Sequence, residues 1–350
     1  MTIGFLVNYC KSDDMLITFQ LASQLERLGI SVSFFTVSEF QKVDDYWDTR
    51  VTKKLANDFT KWVESVSTVV CNDFPSVDLV NYIRELNRKI YVIFLWSSFS
   101  ETNVPTVEYV DKIICPAKCV YQLAKDKLSK YRNKLVCIPW TITNPTIRNE
   151  KILDSSRTSF YWNMDGTQTT KQSDRCVSLL DRLNRLQNVY VTITYNSLLC
   201  DSALNDIRRI TNTSDGRIEL FKNLSFDQQI LTAAKHDFVL WPSVQDDAGF
   251  PGLLATVAGT PCIAFDHPVI GEVVRNRNNG LLVPCNLKFN WFDVPTVDFE
   301  PNIFFDHVVE LLNYPSMLEK FRKTIQLGFE KRNLDFECSI SDLFAENLFS

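Results

Sequence analysis

Residues 3–7 form a short apolar run, and Ile17, Leu21, Leu25 and Leu28 then recur at helical spacing up to Gly29. An apolar side chain every three or four positions makes one face of a helix, and a glycine just past the last of them supplies its stop. The alternation continues. Apolar runs at 32–37, 66–71, 89–96, 112–115 and 134–138 are separated by helical patterns such as 77–86 and 120–130. Strands that alternate with helices predict parallel βαβ units and a doubly wound sheet. The isoleucine- and valine-rich strands lack a clean in–out alternation, which predicts burial on both faces.

The pattern pauses at 140–157, a polar segment with Pro145 in a Thr-Asn-Pro turn, and this reads as a linker. A second series follows: strands at 158–162, 189–194, 217–221 and 238–240, with helical patterns at 174–186, 203–210 and 226–234. Helical patterns at 304–312 and 315–331 close it. A chain of 350 residues exceeds one ordinary domain, so two α/β domains are expected, at 1–145 and 158–330.

The stretch from Trp241 to Pro284 carries the most information. A strand ends at Trp241-Pro242-Ser243, and a polar turn with Gly249 and Pro251 follows. Leu253, Leu254 and Val257 mark a helix that stops near Gly259 and Pro261. Then come a strand at 262–265, a short helical segment around Glu272 and a turn at Asn278-Asn279-Gly280. Ligands of open α/β sheets sit at the carboxyl ends of strands, beside helix N-termini whose free N–H groups and positive dipole end suit a phosphate.

These residues resemble the donor-binding signature of glycosyltransferases of the two-domain GT-B fold, in the large retaining family (family 4-like) typified by glycogen and sucrose synthases and bacterial mannosyltransferases. That signature runs Glu, seven residues, Glu, a small-residue helix, Gly-x-Pro, a strand, and Glu-Val-Val ahead of Asn-Gly-Leu-Leu-Val-Pro. Without gaps, Asp246 falls on the first Glu, with Asp247 as its neighbour, Gly249 and Pro251 on the loop Gly and Pro, and Glu272 on the later Glu. Gly259 and Pro261 match Gly-x-Pro, and Asn279-Gly280-Leu281-Leu282-Val283-Pro284 matches outright. The second Glu, which grips ribose hydroxyls in relatives, is Leu254 here. The resemblance implies two Rossmann-like doubly wound domains facing a cleft, with residues 331–350 packing back on the first.

Composition narrows the setting. No apolar run approaches the ~20 residues that span a bilayer, and MTIGFLVNYC has no basic n-region or cleavage site, so it reads as a first strand. A net charge of −5 gives no global basic field for nucleic acid or membrane. The ten cysteines are scattered, mostly in apolar runs, as expected of reduced thiols in a cytoplasmic protein. Cys115 and Cys119 lack a second pair, which argues against zinc, and no metal site is expected.

The resemblance implies an enzyme that needs no cofactor and uses a nucleotide-diphosphate sugar as co-substrate. Bond cleavage leaves charge on the diphosphate, which fixed donors or cations must stabilise. There is no Asp-x-Asp metal-holding element, in keeping with a metal-independent GT-B enzyme. Lys171 falls near the family's diphosphate lysine, and Asn163 lies where an Arg is expected. Asp246 or its neighbour Asp247 would accept bonds from sugar hydroxyls, and the backbone of Gly249 and Phe250 would approach sugar and phosphate. As turn residues, the two acids could equally be caps.

The first half departs from the family. Asn8-Tyr9-Cys10-Lys11-Ser12-Asp13-Asp14 replaces a Gly-Gly loop, no His precedes residue 236, and Trp96-Ser97-Ser98 stands where the retaining enzymes place one. Asp13 or Asp14 could act as general base of an inverting reaction, or cap a helix beginning near Met15. The aromatic stretch 286–303 is either a loop packing its own rings or a wall against the acceptor. Residues 118–134 hold six Lys or Arg against Asp126 alone. They form either a solvated helix face or a phosphate-contacting surface for DNA, as in phage glucosyltransferases of hydroxymethylated bases. The acceptor is thus a saccharide, a lipid-linked group, a protein or DNA. The rival from another class is a sugar-nucleotide-binding module that has lost catalysis.

Overall fold

The computed structural model describes residues 2–7, 12–36, 58–142, 157–164, 173–195, 201–314 and 316–348. Two six-stranded parallel sheets dominate it. The first is built from β1 (Thr2–Val7), β2 (Ser31–Thr36), β3 (Thr68–Cys71), β4 (Lys89–Ile93), β5 (Lys112–Cys115) and β6 (Leu135–Cys137), in the order β2-β1-β3-β4-β5-β6. Its helices are α1 (Ser12–Arg27), α2 (Phe59–Ser65), α3 (Val77–Glu85) and α4 (Lys118–Lys127).

The second sheet uses β7 (Thr158–Asn163), β8 (Val189–Tyr195), β9 (Ile218–Lys222), β10 (Phe238–Trp241), β11 (Cys262–Phe265) and β12 (Gly280–Val283). Its order is β12-β11-β10-β7-β8-β9. Counted from β7, that is the strand order of dinucleotide-binding sheets, and it reverses between β7 and β10, where such sheets open a crevice. The flanking helices are α5 (Ser173–Asn184), α6 (Asp201–Asn212), α7 (Phe226–Ala234), α8 (Phe250–Val257), α9 (Pro268–Gly271) and α10 (Pro301–Asn313). The doubly wound α/β class expected from the apolar runs is the class observed.

Local chemistry places these elements. Ser76 caps α3 by accepting the Leu79 N–H, and Ser225 with Gln228 forms a capping box at the start of α7. Gly280 is required by the sheet, since a Cβ there would lie 2.4 Å from the Cys262 carbonyl oxygen across the β11–β12 pair.

Some elements differ from the sequence reading. The strand expected over 89–96 ends at Ile93; the Phe94 N–H still donates to the Ile114 carbonyl of β5 at 2.8 Å, and the chain then leaves the sheet as a loop. The helix expected over 120–130 stops at Lys127 and gives way to a 3-10 helix, Ser129–Lys134. The helix expected over 315–331 continues to Leu348 as α11 (Ser316–Leu348). The polar group Lys331-Arg332-Asn333 hid that continuation, but Phe336, Ile340 and Phe344 recur every four residues and are fully buried. Trp140 meets Phe336 at 5.3 Å and Tyr91 meets Phe344 at 5.6 Å, while Phe321, nearer the start of α11, lies in the core beneath the second sheet. One helix thus packs on both halves.

Residues 286–303 do pack their own rings, Trp291 on Phe292 at 5.2 Å, and do more than that. They contain an antiparallel hairpin, β13 (Asn286–Phe289) and β14 (Pro295–Asp298), whose tip crosses to the first half. Phe292 is buried there against Phe99 at 4.8 Å and Phe94 at 6.1 Å, and Lys127 pairs with Asp293. No helix among the described residues is long and apolar enough to cross a membrane.

Candidate active site

The loop that leaves β10 at the reversal of strand order brings Asp246 and Asp247 side by side, both more than nine-tenths buried. Asp246 folds back on its own turn. Its Oδ1 accepts the N–H groups of Ala248 at 3.1 Å, Gly249 at 2.6 Å and Phe250 at 3.3 Å. Ala248 and Gly249 precede α8 and Phe250 opens it, so the carboxylate caps the turn that leads into the helix. Burial, with the neighbouring Asp247 charge, nevertheless raises the Asp246 carboxyl to about 7, against the pull of the three N–H bonds.

This arrangement corrects one expectation. The Gly249 and Phe250 amides do not stand open toward a ligand; they are held by Asp246. Gly249 is needed for a different reason. Its φ is +71°, and a Cβ would meet Val273 Cγ2 at 2.9 Å and the Val269 carbonyl at 3.2 Å. Phe250 is buried against Phe226 at 5.7 Å, and Pro251 lies in the first turn of α8 without an N–H to offer.

Asp247 reaches the other half of the molecule. Its Oδ1 accepts the Ser97 N–H at 2.8 Å and its Oδ2 the Ser97 hydroxyl at 2.5 Å. Beside it, the Trp96 indole N–H donates to the Asp246 carbonyl at 2.7 Å. The Trp96 ring lies edge-on to His267 at 6.0 Å. His267 caps α9: its Nδ1 accepts the Val269 N–H at 3.3 Å, and Nε2 faces the Pro295 carbonyl at 3.3 Å, which fixes a neutral ring protonated at Nε2. Burial lowers its pKa to about 4. Sequence reasoning missed Trp96, Ser97 and His267 as parts of this site. The Trp-Ser-Ser after the fourth strand was visible, but nothing local pairs it with residues 150 positions on.

The other candidates separate. Asn163 ends β7, next to β10, and its amide donates to Gln229 Oε1 of α7 at 3.0 Å. Glu272 is turned to the first half: its two carboxylate oxygens accept the Lys118 N–H at 2.9 Å and the Cys119 N–H at 2.6 Å, at the start of α4. The dipole of that helix and the carboxylate attract each other across the junction. Leu254 is fully buried in the core that α8 shares with the first half. Asp13 and Asp14 lie inside the first turn of α1, because that helix begins at Ser12 and not near Met15. Lys171 falls outside the described residues.

The basic stretch is largely engaged within the fold. Lys127 pairs with Asp293, Lys130 with Glu108 at 3.9 Å, Arg132 Nε donates to the Lys125 carbonyl, and Lys134 Nζ to the carbonyls of Val107 and Glu108. The buried thiols are held protonated: burial pushes Cys71 and Cys176 up to about 12.

Solved structures share this architecture along the whole chain. A glycosyltransferase from Rickettsia africae superposes with a TM-score of 0.70 over 98% of both chains at 13% identity. HepE from Anabaena, in complex with UDP and glucose, gives 0.69 over 99% of both at 14%. Sucrose-phosphate synthase from Thermosynechococcus elongatus gives 0.68 over 99% of both at 12%. No protein-family model and no curated protein sequence matches the chain. The fold is therefore that of the two-domain GT-B glycosyltransferases.

Proposed function

We propose that this chain is a glycosyltransferase that binds a nucleotide-diphosphate sugar along the carboxyl edge of the second sheet and transfers the sugar to an acceptor held by the first. The observation that carries the reading is the buried acidic pair, Asp246 and Asp247, presented at the strand-order reversal and facing the Trp96–Ser97 loop of the other sheet. HepE, of the same fold, is a protein seen with UDP and glucose. Domains at 1–145 and 158–330, with 331–350 returning to the first, suit this division of labour.

In this reading Asp247 accepts sugar hydroxyl bonds once Ser97 releases it, so donor entry separates the two halves and closure follows. Asp246 shapes the loop and α8. Lys171 would be the cation that offsets the charge developing on the leaving diphosphate. Asp13 or Asp14 would take the acceptor proton if the reaction inverts. The enzyme would work in the cytoplasm without a metal or cofactor. The test incubates the purified chain with a panel of nucleotide sugars and follows nucleoside diphosphate release and sugar transfer by mass spectrometry. Saccharide, lipid-linked, protein and hydroxymethylated-DNA acceptors form its arms. No turnover with any donor would overturn the enzyme reading.

A second reading has its own support. Leu254 leaves no acid on α8 for a ribose, and its side chain belongs to the core. A module that binds sugar nucleotides without transferring them would show saturable binding in calorimetry and no product in the same panel.

A further inference from the structure

A cavity of about 570 Å³ opens at the junction of the two halves, between the start of α4, α8, the end of α9 and the middle of α11. It lies apart from the acidic loop, which does not line it. Four cationic residues line it, Lys118, Arg275, Lys331 and Arg332, against two acids, Glu272 and Asp335. Among the described residues none of the four cations forms an ion pair within 4 Å, although the chain as a whole carries a net charge of −5. One of the two acids is engaged elsewhere, because Glu272 holds the α4 amides.

Arg332 is the most telling of the four. Its Nε donates to the Trp140 carbonyl at 2.6 Å and Nη1 to the Glu272 carbonyl at 3.3 Å, while Nη2 is buried with no hydrogen-bond partner. Carbonyl oxygens orient a guanidinium but do not neutralise it. A largely buried cation with Glu272 and Asp335 near it but no carboxylate within 4 Å is incompletely neutralised, and its planar fork suits an oxyanion. Arg275, Lys331 and Lys118 are exposed around it and free to turn inward.

We propose that this junction cavity binds a dianionic phosphate group, with Arg332 at its base and Lys118, Arg275 and Lys331 around the rim. Four cations against two carboxylates leave a surplus of two positive charges, which matches a phosphate monoester or hydrogen phosphate, about −1.5 to −2 at pH 7. The volume exceeds that of a bare phosphate and falls in the range of small-molecule pockets, so it has room for a phosphorylated small molecule. Lys118 belongs to the first half, and Arg275 to the second, with Lys331 and Arg332 on the helix that packs on both. A bound phosphate would tie the halves together.

The test titrates the full chain with inorganic phosphate, glycerol 3-phosphate and glucose 6-phosphate at constant ionic strength, with chloride as control, by calorimetry and thermal unfolding. Saturable binding of at least one probe is expected, weakened about tenfold or more in Arg275→Ala/Lys331→Ala and again in Lys118→Ala. These exposed positions can be changed without disturbing the core, so folding stays measurable. Tighter binding of an ester than of inorganic phosphate assigns the ligand to a phosphorylated molecule, and equal binding assigns it to the free ion. No saturable effect beyond chloride, or equal affinity in the wild type and the double variant, overturns the site.

Discussion

Ser97 and Asp247 stand 150 positions apart in the chain and are joined by two hydrogen bonds, one from the serine N–H and one from its hydroxyl. The carboxylate is mostly buried, so each bond acts in a medium poorer in competing water than the surface. This pair, with Trp96 on the Asp246 carbonyl and Glu272 at the start of α4, sets how the halves meet.

Ser97→Ala should therefore cost about 1.5–3 kcal/mol, the range for a hydrogen bond to a charged group. The double variant Ser97→Ala/Asp247→Asn should cost less than the two single changes added together, because the two residues share one interaction. A double-mutant cycle in urea reads this. Strict additivity would mean that the contact contributes nothing to stability.

The titrating groups at the junction act in opposite directions. Asp246 is raised to about 7, so between pH 4 and 7 the folded state keeps a proton that the unfolded chain has released. Its contribution to stability grows as pH falls through that window. His267 is lowered to about 4, so between pH 6.5 and 4 the unfolded chain takes up a proton that the folded state refuses, and stability falls with pH. Each effect is on the order of 3–4 kcal/mol at about 1.4 per pH unit, and they offset one another in the wild type. Asp246→Asn should expose the His267 loss on acidification. His267→Asn, whose amide oxygen can still cap α9, should expose the opposite gain. Denaturation midpoints at pH 4.5 and 7.5 separate the three proteins, and three parallel profiles would refute the assignment.

Leu254→Glu restores the residue of the resembled signature, but the side chain would enter a fully buried apolar site. An unpaired carboxylate there neutralises or unfolds its surroundings. The variant should lose several kcal/mol, on the order of the 3–5 kcal/mol seen when buried charges lack partners, and should not gain donor affinity. A folded variant with tighter nucleotide-sugar binding in calorimetry would place ribose against α8 after all.

What could be read from the residues follows the range of the forces involved. Apolar runs buried on both faces of a parallel sheet leave a strong local pattern, so both βαβ series and the loop after Trp241 were legible. The continuation of α11 was partly hidden by Lys331-Arg332-Asn333, although the four-residue spacing of Phe336, Ile340 and Phe344 was present. The hairpin tip at Phe292, the Ser97 bonds and the Glu272 cap were not legible. Each depends on how two separately folded halves dock, and a turn sequence carries no record of its distant partner. For Gly249 the residue type was read correctly and its reason was not: the glycine answers to Val269 of α9 and to Val273 just beyond that helix.

The last prediction separates the two loop carboxylates. As a loop residue Asp246 promises little packing, so its truncation to Ala would be expected to leave folding intact. The three N–H bonds to its Oδ1 reverse that expectation. Asp246→Ala leaves buried donors unsatisfied at the start of α8 and should destabilise the chain by roughly 1–3 kcal/mol or more. Asp246→Asn keeps an oxygen in place and should fold, so it reports on chemistry. If Asp246 serves mainly as a cap and Asp247 meets the sugar, Asp246→Asn should retain donor binding near the wild-type level. Asp247→Asn should weaken it by about 1.5–3 kcal/mol, the worth of a charged hydrogen bond. Calorimetry with a nucleotide sugar that binds the wild type decides the matter. The reverse ranking would return the sugar contact to Asp246 and require its carboxylate to leave the three amides on binding.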